Sequence, residues 1–253
     1  MTILHYILIG MAAFLGGAVN ALAGGGTLIT FPMMTAVGIP PVSANVTNTI
    51  ALVPGYFGAT YAQRKDMKGQ GKRMRVLLPV SALGGLLGGI LLIWIDESVF
   101  DALVPYLILL ATILLAVGAP LRKWVVKRGE ESKTAASLER WAPLPVGLAA
   151  VYGGYFGAGL GVITLAVLGL VYNDNITRLN ALKQSISFAV NTAGAIFFLF
   201  SGRVYWIAAL IMAVFAYAGG TLGGRLAGKV KPQVLRRVIV VIGLVVSVIY
   251  FVK

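Results

Sequence analysis

The chain has 253 residues, 58% of them hydrophobic and only 11% charged, with a formal net charge of +13. Soluble domains carry roughly 25% charged residues, so this composition, with a mean hydropathy of +0.90, describes an integral membrane protein with little mass outside the bilayer. The lack of cysteine excludes disulfides, thiolate metal sites and iron–sulfur clusters, and the single histidine, His5, excludes haem or zinc centres built on paired imidazoles.

The first apolar run, Ile3–Val37, holds no charged residue and is interrupted by Gly24-Gly25-Gly26. It opens without a basic n-region or a clear cleavage site and reads as mature protein rather than a signal peptide. Three consecutive glycines make a poor helix, because glycine has the largest backbone entropy cost and no side chain to pack. The expectation is a full or bent helix to Ala23, a glycine turn, and a short return helix over Thr27–Val37. Backbone freed inside a membrane needs protein, water or a ligand as partner, never lipid.

Next come a helix studded with polar residues, Val42–Gln63, one with glycine doublets, Val76–Ile95, and a plain aliphatic one, Ala102–Ala119. Pro54 is expected to kink the polar helix and free a carbonyl. The basic segment Arg122–Arg140, with its small acidic insert Glu130-Glu131, reads as a short exposed linker. The four kinds of run then recur as Leu144–Tyr172, Thr177–Ser201, Tyr205–Ala227 and Leu235–Val252. Residues 1–121 are read as a first transmembrane repeat, 122–142 as a cytoplasmic linker and 143–253 as a second repeat.

The recurrence has a fixed offset of 135 positions. Gly24 and Gly26 fall on Gly159 and Gly161 (159 − 24 = 135), and Asn45 falls on Asn180. Gly84-Gly85 and Gly88-Gly89 fall on Gly219-Gly220 and Gly223-Gly224, with no gap needed. Duplicated membrane halves are a feature of transporter folds. The doublets themselves are small-xxx-small stripes that let helices approach closely, and they read as packing.

The +13 charge suggests nucleic acid until it is located: the bases cluster in short loops between apolar runs. Loop Arg64–Arg75 holds six bases against Asp66, whereas its counterpart near Gly202 has only Arg203. Loop Asp96–Asp101 holds three acids and no base, whereas its counterpart holds Lys229, Lys231, Arg236 and Arg237. The bias reverses between the halves, so the positive-inside rule predicts opposite orientations. The fold class expected is an all-α membrane protein of two inverted-topology repeats with Gly-broken or re-entrant helices and about 8–10 membrane segments. The N-terminus is expected outside, and loop 64–75 and linker 122–142 cytoplasmic.

The polar helices carry the candidate chemistry. Asn45, Asn48 and Thr49 share one face in the first half; Asn180, Lys183, Gln184, Ser187 and Asn191 share one in the second. Such a stripe points inward, because amides and ammoniums facing lipid are costly. Two readings stay open: a substrate site, or groups that bond neighbouring helices. Likewise Lys183 is either a ligand or a snorkelling anchor, and Arg178 reads as a loop anchor. As a site, the donors are the amide side chains, Thr27, exposed N–H groups after Gly24, Gly25, Gly26, Gly159 and Gly161, and the single cation Lys183. Glycine nests and helix N-termini attract anions. All eight acids lie in or next to loops. An acid-free, amide-lined site with one lysine suits a small oxyanion better than a metal or an organic cation. With no buried Asp or Glu relay, the membrane potential, about 2.3 kcal/mol per charge per 100 mV, is the expected driving force for export, or else a proton borne by the substrate.

The run Ala23–Pro32 with its triple glycine, continued by Gly38-Ile39-Pro40-Pro41-Val42-Ser43-Ala44-Asn45-Val46-Thr47-Asn48, resembles the opening signature of the TauE/SafE sulfite-exporter family. Leu179-Asn180-Ala181-Leu182-Lys183, Phe200-Ser201-Gly202-Arg203-Val204, the second glycine doublets and Leu235-Arg236-Arg237 resemble its second half. Gly159-Leu160-Gly161 departs from the triple-glycine form. The resemblance implies a multi-pass inner-membrane permease for sulfite, an organosulfonate or a related anion; the signature marks fold well and substrate poorly. The expected partners are a small anion and the bilayer, without nucleic acid, cofactor or metal, and pairing as a homodimer is left open. Alternatives are a carrier of another small carboxylate or oxyanion, a scaffold or insertase-like protein, and an intramembrane enzyme, for which Lys183 and Ser187 form the one conceivable dyad.

Overall fold

The computed structural model describes residues 1–131, 139–229 and 233–252, without the side chains of 119–131, 233 and 234. Ten long helices fill it: α1 (Ile3–Leu22), α2 (Thr27–Ala36), α3 (Pro41–Ala62), α4 (Gly71–Trp94), α5 (Glu97–Glu131), α6 (Pro143–Tyr155), α7 (Leu160–Val171), α8 (Ile176–Phe198), α9 (Trp206–Leu226) and α10 (Gln233–Val252). Five helical segments, Ile3–Leu22, Gly71–Trp94, Glu97–Gly118, Trp206–Leu226 and Leu235–Val252, are long and apolar enough to cross a membrane. The described residues are all-helical, those of a multi-pass membrane protein.

The repeat offset reappears in the element bounds. Moving α3, Pro41–Ala62, by 135 gives 176–197, and α8 is Ile176–Phe198; moving the start of α4, Gly71, gives 206, the first residue of α9. The halves are interlocked rather than side by side. Helix α4 packs on α6 and α8 of the second half, and α9 packs on α1 and α3 of the first. The glycine doublets make this possible, as their spacing predicts. A methyl on Gly84 would lie 2.6 Å from Ala150 Cβ in α6, and one on Gly85 2.8 Å from Val190 Cα in α8. Their counterparts repeat the pattern: Gly223 would meet Ala18 O of α1 at 2.6 Å, and Gly224 would meet Ala59 Cα of α3 at 2.9 Å. No side chain fits at these crossings, and close backbone approach gives the dispersion contacts that hold helices together in lipid.

Two expectations are corrected. The segment Arg122–Glu131, expected to be a short linker between the halves, continues α5 as helix; residues 132–138 of that linker lie outside the described residues. Helix α4 begins at Gly71, so Lys72, Arg73 and Arg75 belong to its first turns rather than to a loop. Bases are unfavourable at a helix N-terminus, but Arg73 is engaged there. It donates to Asp174, approaches Glu139 at 3.5 Å and lies over the Tyr172 ring at 4.3 Å.

The bundle ends are tied across the halves. At one end Arg178 donates to Asp174 Oδ1 at 2.8 Å and to Lys68 O at 2.9 Å, and Gln70 donates to Arg178 O at 3.0 Å. Arg178 is thus a loop anchor, as expected. At another, Arg203 donates to Glu97, and the Tyr205 N–H donates to Thr47 Oγ1 in α3 at 3.0 Å.

Candidate functional site

The first glycine break joins α1 to α2 through residues 23–26. Gly24 and Gly25 have φ of +72° and +113°, the left-handed region where glycine is at home. Gly26 is needed for room instead: a methyl there would lie 2.8 Å from Asn20 Cγ. The second break joins α6 to α7 through residues 156–159, with φ of +80° at Gly157 and +78° at Gly159. The first break lies against the first turn of α7, just after the second. A methyl on Gly24 would sit 2.9 Å from Val162 N and 3.0 Å from Gly161 Cα.

The donors of the first break are already engaged. Asn20, one turn before the glycines, accepts the N–H of Gly25 at 3.2 Å and of Gly26 at 2.7 Å on its Oδ1. The sequence predicts free N–H groups after Gly24–Gly26; those of Gly25 and Gly26 are instead capped by this side chain. Asn20 Nδ2 is buried with no hydrogen-bond partner.

Lys183 is 1% exposed. Its ammonium donates to the Asn20 main-chain oxygen at 3.0 Å, and Gln184 Nε2 approaches the same oxygen at 3.4 Å. A methyl on Gly161 would lie 3.5 Å from Lys183 Cδ. The snorkelling alternative is thereby overturned: Lys183 lies seven residues into α8, about 10 Å from its start at 1.5 Å per residue. No carboxylate pairs with it among the described residues. Arg236, read from the sequence as a loop base, belongs to α10 and is 8% exposed. Its guanidinium faces Gly118, which also packs against Val162 beside the glycine breaks. Lys231, from the same basic run, lies outside the described residues.

The two repeat asparagines do matching work. Asn45 donates to Tyr155 O, at the end of α6, at 2.7 Å. Asn180 donates to Ala21 O, at the end of α1, at 3.3 Å, and to Gln63 Oε1 at 2.7 Å. Each half thus supplies an amide to a carbonyl that the other half's broken helix leaves without an intrahelical partner. For these two residues the helix-bonding reading has direct geometry behind it. Thr49 and Asn191 bond within their own helices, to Asn45 O at 3.0 Å and Ser187 O at 2.8 Å. Thr27 opens α2 and is buried. Asn45 Oδ1, Asn48 Oδ1, Gln184 Oε1 and Ser187 Oγ are buried without a partner, an unusual concentration for polar atoms that are normally satisfied. Ser187 and Lys183 are not hydrogen-bonded to each other, so the proposed dyad is not assembled.

The structure therefore brings Gly24, Gly161, Asn180, Lys183 and Gln184 around the end of α1, and sets Asn45 at the end of α6. Asn20 and Arg236 are the members sequence reasoning missed. Asn20 was visible as an amide one turn ahead of the glycines in a charge-free run. No comparable signal marks Arg236 within its basic run.

A model of the family described as "Sulfite exporter TauE/SafE" matches residues 9–250. Among curated proteins, the chain is 25% identical over 242 residues to "Probable membrane transporter protein YfcA" of Escherichia coli strain K12, covering 93% of this chain and 85% of that one. It is 27% identical over 244 residues to "Probable membrane transporter protein ORF9" of Sinorhizobium sp, covering 94% and 89%. It is also 27% identical over 235 residues to a "Probable membrane transporter protein" of Haemophilus influenzae, covering 92% and 89%. No solved structure matches the chain.

Proposed function

The chain belongs to the sulfite exporter TauE/SafE family of membrane transporters, and from that premise we propose that it carries a small oxyanion, sulfite or an organosulfonate, across the inner membrane, binding it where the two glycine breaks meet. The observation that carries this reading is Lys183, a cation 1% exposed, paired with no carboxylate among the described residues and set against Gly161 and the end of α1. A buried charge is tolerable only with a compensating partner. One main-chain carbonyl is a weak counterpart for an ammonium, and an anion is a strong one. The backbone N–H groups at the start of α2 add the positive end of a helix.

Support for opposite orientations of the halves comes from the ties at the bundle ends. Helix α3 meets Tyr205 near its start and runs to the loop that Arg178 holds; α8 carries Arg178 in its first turn and ends before Arg203. These ties favour a reading in which equivalent helices run in opposite senses. With the basic segment 64–75 cytoplasmic, a dianion leaving a negative-inside cell gains about 2.3 kcal/mol per charge per 100 mV, and potential-driven export follows.

Thermal stability of the purified protein tests the reading, since a ligand that binds only the folded state stabilises in proportion to the logarithm of its concentration over Kd. Sulfite, sulfate, thiosulfate, sulfoacetate, taurine and small carboxylates form the panel. At least one oxyanion is expected to raise the melting temperature, and to do so in Ser187→Ala as well. Stabilisation by cations alone would overturn the site.

A further inference from the structure

We infer that the Asn20 side chain is a tethered stand-in for the transported anion, and that the anion enters by displacing it; this rests on the anion-carrier reading above. Three observations converge. First, Asn20 Oδ1 receives both N–H groups that precede α2, from Gly25 and Gly26 at 3.2 and 2.7 Å. Two N–H groups converging on one oxygen at the start of a ten-residue helix form an oxyanion seat.

Second, the rest of the carboxamide is not accommodated. Asn20 is 6% exposed, yet its Nδ2 is buried with no partner. The side chain is held by its oxygen alone, as an oxyanion would be, and a ligand that released it would cost the protein no other hydrogen bond of that side chain.

Third, a cation waits beside the seat. Lys183 Nζ donates to the main-chain oxygen of the same residue at 3.0 Å. A neutral amide oxygen leaves that charge unanswered, whereas an oxyanion in the seat would face it. Hydrogen bonds to an ionised acceptor are about twice as strong as those to a neutral one. Exchange of the amide for an anion therefore strengthens these hydrogen bonds, and exchange for a neutral solute does not. Charge selectivity follows from competition with a residue of the chain itself. Because Asn20 ties the last turn of α1 to the first of α2, the same exchange unpins the break between them.

The test is an anion titration of the purified full-length protein by thermal shift, with sulfite and sulfate as probes, on wild type, Asn20→Ala and Asn20→Asp. Asn20→Ala empties the seat: it is expected to melt lower without anion, and to reach half its anion-induced shift at a concentration at least threefold below wild type. Asn20→Asp fixes a carboxylate in the seat: it is expected to need at least tenfold more anion. If wild type responds but neither variant moves the midpoint, Asn20 is a structural cap only and the inference fails while the carrier reading stands. If wild type responds to no oxyanion, the carrier reading fails with it. Should Asn20→Ala not fold, Asn20→Asp decides alone, and an unchanged midpoint there is sufficient to reject the exchange.

Discussion

The two glycine breaks lie 135 positions apart in the chain, yet they are stabilised in opposite ways. In the first, a carboxamide oxygen from Asn20 satisfies donors, the N–H groups of Gly25 and Gly26. In the second, the hydroxyl of Tyr152 satisfies an acceptor, Ala158 O, at 2.7 Å. The position equivalent to Asn20 is Tyr155 (20 + 135), which has no carboxamide to offer, and its buried hydroxyl has no partner. Only the first break thus holds its donors with something an anion can replace. Equivalent positions thus carry different side chains: on the proposed reading the first break is the one that exchanges ligand, while the second is held by Tyr152.

The sharpest way to break that comparison is to put the same methyl on equivalent glycines. At Gly26 it would collide with Asn20 Cγ at 2.8 Å and with the backbone of Gly16; at Gly161 its nearest neighbour, Gly24 Cα, would be 3.1 Å away. Overpacking costs about 1–3 kcal/mol, occasionally more. Gly26→Ala is expected at or above the top of that range, whereas Gly161→Ala, inside α7, is partly offset by alanine's better helix propensity of about 1 kcal/mol. Melting temperatures in detergent read the difference, and equal losses would mean the breaks are equivalent after all.

A second, smaller effect concerns the cation between them. Lys183→Met keeps the stem and removes the charge. A hydrogen bond to a charged group contributes about 1.5–3 kcal/mol, so oxyanion affinity is expected to fall roughly 30-fold, tenfold for each 1.4 kcal/mol. The fold is expected to survive. Undiminished binding would move the site away from α8.

The smallest effect lies at the bundle end. Burial raises the carboxyl pKa of Asp174, but the hydrogen bonds from Arg73 and the Asn175 N–H, with the charges of Arg178 and Arg73, outweigh it and hold it below its usual value. A group lowered on folding stabilises above its unfolded pKa, near 3.9 for aspartate, and loses that contribution as pH falls through the lower folded value. The partners are partly exposed, at 23% for Arg73 and 35% for Arg178, so the contribution is under about 1 kcal/mol. Asp174→Asn is expected to remove this acid-sensitive part of stability in melts between pH 7 and 3. The equivalent position in the first half is Ile39, buried in the core, so the latch has no copy.

The arrangement of helices was legible because bilayer physics writes it plainly in the chain. Apolar runs predicted most helix bounds closely: Val42–Gln63 became Pro41–Ala62 and Tyr205–Ala227 became Trp206–Leu226. The glycine doublets announced the close crossings. Less visible were features that depend on tertiary contact. Arg236 sits in a basic run, and nothing local distinguishes a buried arginine from its exposed neighbours. Asn20 caps residues five and six positions onward, a bond that exists only once the glycines have turned the chain. The helical continuation to Glu131 was masked because charge, which marks loops in a membrane protein, does not stop a helix outside the bilayer.

The exchange of α4 and α9 has a bearing on how the protein is made. While the ribosome is still working on the second half, α4 has been synthesised but the helices it fits, α6 and α8, have not. Its flat glycine flank must wait in lipid for them, and α1 and α3 must wait longer for α9. The contacts of α4 and α9 can therefore close only once the second half is made, unlike the stacking of two finished modules. Two fragments severed between the halves would be expected to rescue one another only when inserted into the same membrane.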